Sequence, residues 1–122
     1  MSINRVIQSG NLTRNAELRR TQSDHVVLIF GLAVNERRRK PNSDEWEDVP
    51  NYIDCVVFGN RAEALEQYLV KGTKVAVEGR LRWSQWETED GAKRSKHELI
   101  VDELEFMAPR REEPIEVEEF SE

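Results

Sequence analysis

Aromatic and basic residues recur together along this chain in a way that suits one kind of chemistry. Trp46 follows closely on Arg37, Arg38, Arg39 and Lys40, Tyr52 and Phe58 share a phase, and Trp86 falls in phase with Arg80 and Arg82. Arg94 and Lys96 occupy the polar phase of the next segment. An exposed ring has no folding rationale of its own, but beside a guanidinium it forms a platform for a nucleobase with a cation for the phosphate. Base–aromatic stacking contributes about 1–3 kcal/mol per base and tolerates any base, because every base has a π-face. Lys and Arg add a sequence-independent attraction to the backbone. The competing reading for each ring is burial in a core or a subunit interface. Trp83, in phase with Val75, Val77 and Leu81, is open to both.

Other chemistries find little support. His25 and His97 are far apart and belong to no metal-ligand spacing, so no metal is expected. His97 falls in an inward phase and reads as a hydrogen-bonded interior residue. Cys55, the single cysteine, sits mid-strand in phase with Ile53 and Val57, the setting of an inert buried thiol; alone, it excludes an internal disulfide. The glycines are scattered rather than gathered into a phosphate loop, and the carboxylates are dispersed. Neither catalysis nor a cofactor is expected.

The elements that must position these residues are mostly strands. Residues 3–13 read as a strand, and 26–35 as one apolar on both faces, with Gly31 marking a bulge or bend. Residues 36–50 are charged, hold two prolines and read as a long loop. Residues 52–58 alternate, with Ile53, Cys55 and Val57 on one face and Tyr52, Asp54, Val56 and Phe58 on the other. Asn60 reads as an N-cap with Glu63 at the capping-box position, opening a helix that shows Leu65, Tyr68 and Leu69 on one face and stops at Gly72. Residues 74–83 alternate with Val75, Val77 and Leu81 inward, and Glu89-Asp90-Gly91 turns the chain. Residues 93–106 return with His97, Leu99 and Val101 inward and Arg94, Lys96 and Glu98 outward. The pattern predicts an all-β protein: a five-stranded antiparallel Greek-key barrel of the OB type with one helix, though other small barrels share it.

At 122 residues the chain suits one domain. Its net charge of −6 is misleading as an average: residues 1–111 balance, and all the excess lies in the six glutamates of 112–122. The expected division is a binding domain over 1–108 and a disordered acidic tail over 109–122. The longest apolar run, Val26 to Val34, is too short to span a membrane, and the N-terminus lacks a signal-peptide pattern, so a cytoplasmic protein is expected. That run carries more apolar surface than one small core needs, which predicts self-association.

The ordered motifs Asn4-Arg5-Val6-Ile7, Gly10-Asn11-Leu12, Ala16-Glu17-Leu18-Arg19, Val56-Val57-Phe58-Gly59, Tyr68-Leu69-Val70-Lys71-Gly72 and Val77-Glu78-Gly79-Arg80-Leu81-Arg82 with Trp86 resemble bacterial and phage single-stranded DNA-binding proteins over about residues 3–107. The resemblance implies an OB-fold, usually a homotetramer, that wraps single-stranded DNA with little sequence preference and protects it during replication, recombination and repair. Carried over by position, it implies stacking by Phe58, Trp86 and Tyr52, the last standing where a tryptophan is usual, and phosphate contacts by Arg5, Arg19, Lys71 and Arg82. Glu116, Glu118, Glu119 and Phe120 are the counterpart of the family's acidic docking peptide for replication and repair proteins.

The departures are specific. Arg38 stands where another stacking tryptophan is common, Asp54 replaces a base and Asn60 a lysine, and the chain ends Glu119-Phe120-Ser121-Glu122 without a terminal Pro-Phe. Beside a sequence-tolerant DNA binder, two rivals fit the residues: an RNA-binding or primosome-accessory OB protein, and an adaptor working through its acidic tail.

Overall fold

The computed structural model describes residues 1–107. They form β1 (Val6–Leu12), β2 (Glu17–Arg20), β3 (Val26–Arg39), β4 (Trp46–Phe58), α1 (Arg61–Glu66), β5 (Lys74–Glu87) and β6 (Lys93–Phe106). The strand order is β1-β5-β6-β4-β3-β2, and a pairing of β1 with β3 closes the sheet into a barrel. β1 and β2 lie along the same edge of β3, so they act as one strand broken at residues 13–16, and the barrel is five-stranded as expected. Every ladder is antiparallel except β4 with β6, where Asp54–Val56 run beside Glu98–Ile100.

The interior follows from period-two alternation. Leu28, Phe30 and Leu32 of β3, Cys55 and Val57 of β4, Val75 and Val77 of β5 and Leu99 and Val101 of β6 are buried, with Leu12 on β1 and Ala62 and Leu69 closing one end. A fully buried side chain of this kind contributes about 1.5–3 kcal/mol, so this cluster dominates the stability of the fold. Val27, Val56 and Ile100 form a second, smaller cluster on the outer face, with Ile29 against it. The surplus apolar surface of β3 is thus covered within the protomer, and the expectation that it must be buried between subunits loses that argument.

Several local expectations are corrected. The charged stretch 36–50 is not a long loop. β3 and β4 stay paired from Val27↔Phe58 out to Arg39↔Trp46, leaving only residues 40–45 as the turn. Lys40 N–H donates to the Glu45 carbonyl (2.9 Å) across it, with Asn42 in the left-handed region. Polar composition misled because a two-stranded arm projecting beyond the core buries neither face and needs no apolar alternation. Gly31 is no bulge, since the ladder runs evenly through Gly31↔Asp54. Its hydrogen makes room instead: a Cβ would lie 2.7 Å from Thr13 Oγ1, where the chain crosses between β1 and β2. The bulge lies between β5 and β6, where the register shifts at Glu78/Gly79 and a Cβ on Gly79 would collide with the Ile100 carbonyl. Asn60 is itself helical (φ −63°) and makes no side-chain cap bond, and α1 is shorter than the expected helix to Gly72. Gly72 (φ +91°) serves the turn into β5 instead.

The tail, including Glu116, Glu118, Glu119 and Phe120, lies outside the described residues. No described helix is long and apolar enough to cross a membrane.

Candidate nucleic-acid interface

The strand β4 is the spine of the candidate site. Trp46, Tyr52 and Phe58 occur at intervals of six residues, an even number, so one unbroken strand presents all three on the same outward face. At about 3.3 Å per residue they stand roughly 20 Å apart. All three are open to solvent, at 55%, 72% and 39% of full exposure. The even spacing is visible in the sequence, but only the pairing of Arg39 with Trp46 shows that the strand reaches that far.

The register adds the neighbours. Across β3, Arg39 pairs with Trp46 and Arg37 with Asp48, so both arginines share that face; Arg37 lies over the Trp46 ring at 5.9 Å from its centroid. Arg38, one residue out of phase, faces the other way, opposite Glu47. Arg39 pairs with Asp44 (3.3 Å) and Lys40 with Glu45 (3.4 Å), which ties both to the turn. On β2, Arg19 pairs with Val27, and Val27 with Phe58, so a row Arg19–Val27–Phe58 crosses three strands; Arg19 bonds Glu17 at 2.9 Å.

β5 and β6 supply the second arm. Arg80 lies opposite Ile100, Arg82 opposite Glu98 and Trp86 opposite Arg94, so these share the outer side with Lys96. The guanidinium of Arg82 lies 5.4 Å from the centroid of Phe58, a cation–π contact that joins the two arms. The hairpin end is fixed by Thr88, which donates its hydroxyl to Asp90 and its N–H to Ala92 (2.8 Å). That hydroxyl, with the Ala92 amide, holds the Asp90 carboxyl below the usual carboxylate range.

Trp83 and His97 pair with each other on the opposite phase, beyond the end of the core. Trp83 is 54% exposed, which removes the core-packing reading for it; Trp86 is 46% exposed. His97 is likewise exposed and lines an opening with Tyr52, Asn51 and Asp54, so it is not the interior residue expected from its phase. The inward phase outlasts the interior: Leu81 and Trp83 follow Val77 on a strand that has already left the barrel. Glu98, expected outward and solvated, is instead buried beneath its partners.

Charge is arranged unevenly over this face. At its centre Arg82 bonds Glu98 (2.9 Å), and Lys96 lies 3.6 Å from Glu98 and 3.9 Å from Asp54. Two cations and two carboxylates cancel there. Arg80 pairs with Asp102 (3.3 Å) and Arg5 with Glu78 (3.4 Å). Among the described residues Arg37 and Arg94 on this face take part in no ion pair, nor does Arg14, whose guanidinium lies 3.0 Å from where a Cβ on Gly31 would stand. Uncompensated positive charge therefore sits beside Trp46, beside Trp86 and over Gly31; Arg38, also outside any ion pair, is on the other side of its arm. Lys71 is off these strands, in the turn before β5, where its N–H donates to Asn15 Oδ1 (2.8 Å).

Cys55 is fully buried against Leu99, and burial, with a smaller push from the Asp54 charge, drives its thiol pKa up to about 12. No group of three His, Cys, Asp or Glu among the described residues is placed to hold a metal ion.

Known proteins resemble this chain in sequence and in fold. A protein of Borreliella burgdorferi named single-stranded DNA-binding protein is 46% identical over 107 residues, covering 87% of this chain and 70% of its own length. One of the same name from Treponema pallidum is 41% identical over 105 residues, covering 86% and 58%. The chain thus spans between 58% and 70% of the length of these two relatives. Among solved structures, a Plasmodium falciparum SSB in complex with ssDNA superposes with a TM-score of 0.78 at 26% identity, covering 88% of this chain and 97% of that one. The profile of one family runs from residue 3 to residue 107, through the barrel and both arms: this chain belongs to the Single-strand binding protein family.

Proposed function

We propose that the protein binds single-stranded DNA with little regard for sequence, by stacking bases on Trp46, Tyr52, Phe58, Trp83 and Trp86 and by drawing phosphates to the cations around them. The observation that carries this is the alignment of three exposed rings on one face of β4, joined to the β5–β6 arm through Arg82 over Phe58. Arg37 and Arg94 are the first phosphate ligands, and Arg38 serves only where the strand wraps to the other face of its arm. Arg5, Arg19, Arg39, Lys40, Arg80, Arg82 and Lys96 must leave a carboxylate to serve, and Lys71 contributes only along a path that turns past β5. The protein works without catalysis, as a cover for single strands during replication, recombination and repair in the cytoplasm, with the residues from 109 onward as an acidic docking peptide for partner proteins.

We also propose a homotetramer. β1 bonds β5 along Val6–Asn11 but meets β3 only at Asn11 and Leu12, so the edge at Val6–Ser9 is open among the described residues, beside an Ile7 that is 71% exposed. An open edge with an apolar neighbour favours pairing with a second copy.

Tryptophan fluorescence titrated with oligo-dT and oligo-U tests the first proposal. Strong quenching by dT supports it, an equal or stronger response to U moves the protein to the RNA-binding class, and no response leaves the adaptor reading. Light scattering at micromolar concentration tests the second: a mass near four chains is expected, and a stable monomer overturns it.

A further inference from the structure

Beside Phe58 the outer face ends in a recess of about 600 Å³, within the range of small-ligand pockets (about 300–1,000 Å³). Val26 and the Phe58 ring line it, and its polar groups come from the β2–β3 turn and the start of α1: Asp24, His25, Asn60 and Glu63. The turn is well braced. His25 N–H donates to Thr21 Oγ1 (3.2 Å), Ser23 Oγ lies 2.9 Å from His25 Nδ1, and Asp24 N–H donates to the Thr21 carbonyl (2.9 Å). Asp24 holds φ +66°, and its Oδ1 accepts from Arg20 at 3.4 Å, leaving its second oxygen free. Glu63 enters no ion pair, and Asn60 makes no cap bond, among the described residues.

This chemistry is wrong for a phosphate. No Lys or Arg lines the recess, and of its two carboxylates Asp24 is offset by Arg20 while Glu63 has no cation, so a backbone anion finds no partner inside it. It is right for a base: an apolar floor takes the ring, and carboxylate oxygens accept from exocyclic amino groups, as Glu and Asp do from cytosine N4. We infer that the strand stacked on Phe58 places its next base in this recess, and that Asp24 and Glu63 there favour a base with an exocyclic amino group over thymine. This rests on the single-stranded DNA reading above, since Phe58 belongs to both surfaces. Thymine offers only its ring N–H to these acceptors.

The test compares oligo-dC and oligo-dT of equal length on the full chain, in the parent, Glu63→Gln, Asp24→Asn and the double variant. Asn tolerates the left-handed backbone at position 24, and a thermal melt checks that each variant folds. Differences in self-stacking between the oligomers are common to all four proteins and cancel in the ratio of affinities. The preference for dC relative to dT should fall about fivefold in the double variant, the low end of what a base-edge contact supplies at so open a site. Both oligomers tightening by the same factor would mean that the carboxylates merely repel DNA, and an unchanged ratio would mean that no base is read; either overturns the inference and leaves the general binding intact. Failure of the parent to bind even dT would instead remove the single-stranded DNA reading, and this inference with it.

Discussion

Asp54→Asn should tighten DNA binding and make it more sensitive to salt. In the parent, Lys96 is held between Asp54 (3.9 Å) and Glu98 (3.6 Å), and Arg82 is held by Glu98 (2.9 Å), so these four groups together offer a passing phosphate no net charge. Removing one carboxylate leaves two cations facing one anion, enough for one additional phosphate. For single strands each neutralised phosphate adds about 0.7 to the slope of log K against log salt concentration. Between about 50 and about 200 mM salt, the advantage of the variant over the parent should therefore shrink about 2.5-fold. Stability should change little, because both partners of this long pair are more than two-fifths exposed and such pairs contribute about 0–1 kcal/mol. Glu98→Gln frees the same cations but loses a charge-assisted bond from Arg82 to a buried carboxylate, so it should cost about 1.5–3 kcal/mol of stability as well. Fluorescence titration with oligo-dT over a salt series reads the slope, and urea melts read the stability. Parallel slopes for Asp54→Asn and parent would refute the idea that these carboxylates hold the central cations back from the DNA.

Trp86→Ala and Phe58→Ala should each weaken oligo-dT binding by about 1–3 kcal/mol while keeping a cooperative melt; normal binding would return that ring to a structural role. Gly79→Ala drives a Cβ into the Ile100 carbonyl at the β5–β6 bulge and should destabilise the fold by about 1–3 kcal/mol in urea, with an unchanged midpoint speaking against the close approach. Cys55 should resist thiol reagents until the protein unfolds. Its pKa is raised from the ordinary 9.0 to about 12, so above pH 9 the unfolded chain binds fewer protons than the folded one. Stability should therefore fall between pH 9 and 12, by at most about 1.4 kcal/mol per pH unit from this group, and a Cys55→Ala variant should lack that component of the slope.

Alternation made the barrel legible where one face is buried. Ile53, Cys55 and Val57 separate by phase alone from Tyr52, Asp54 and Phe58, and Val75 and Val77 fall inward. The same rule fails where the strands outrun the core. On the arms neither face is buried, so Arg37–Arg39 and Trp46–Pro50 carry no alternation and looked like a loop, while His97 and Trp83 kept an inward phase with no interior left to enter. The aromatic composition of the site was readable; the shared face of Trp46 with Tyr52 and Phe58 was not, since it depends on β4 being continuous through Pro50. Also hidden was the pairing of nearly every central cation with a carboxylate, because Arg82–Glu98 and Lys96–Asp54 are brought together by cross-strand register rather than by nearness in sequence.

The ladders also differ in how far along the chain they reach. β3 with β4, and β5 with β6, zip outward from tight turns between sequence neighbours, whereas the seams that make the sheet a barrel, β1 on β3 and β4 on β6, are short and join segments remote from each other. Loop-closure entropy opposes the remote seams far more than the local hairpins. Closure is therefore expected to be the slow event in folding, and Val56→Ala or Ile100→Ala at the β4–β6 seam should slow refolding in stopped-flow measurements. The arm tips that present Trp46 and Trp86 lie outside that event. Changes in their length and decoration should then alter the grip on a strand while leaving the refolding rate nearly unchanged.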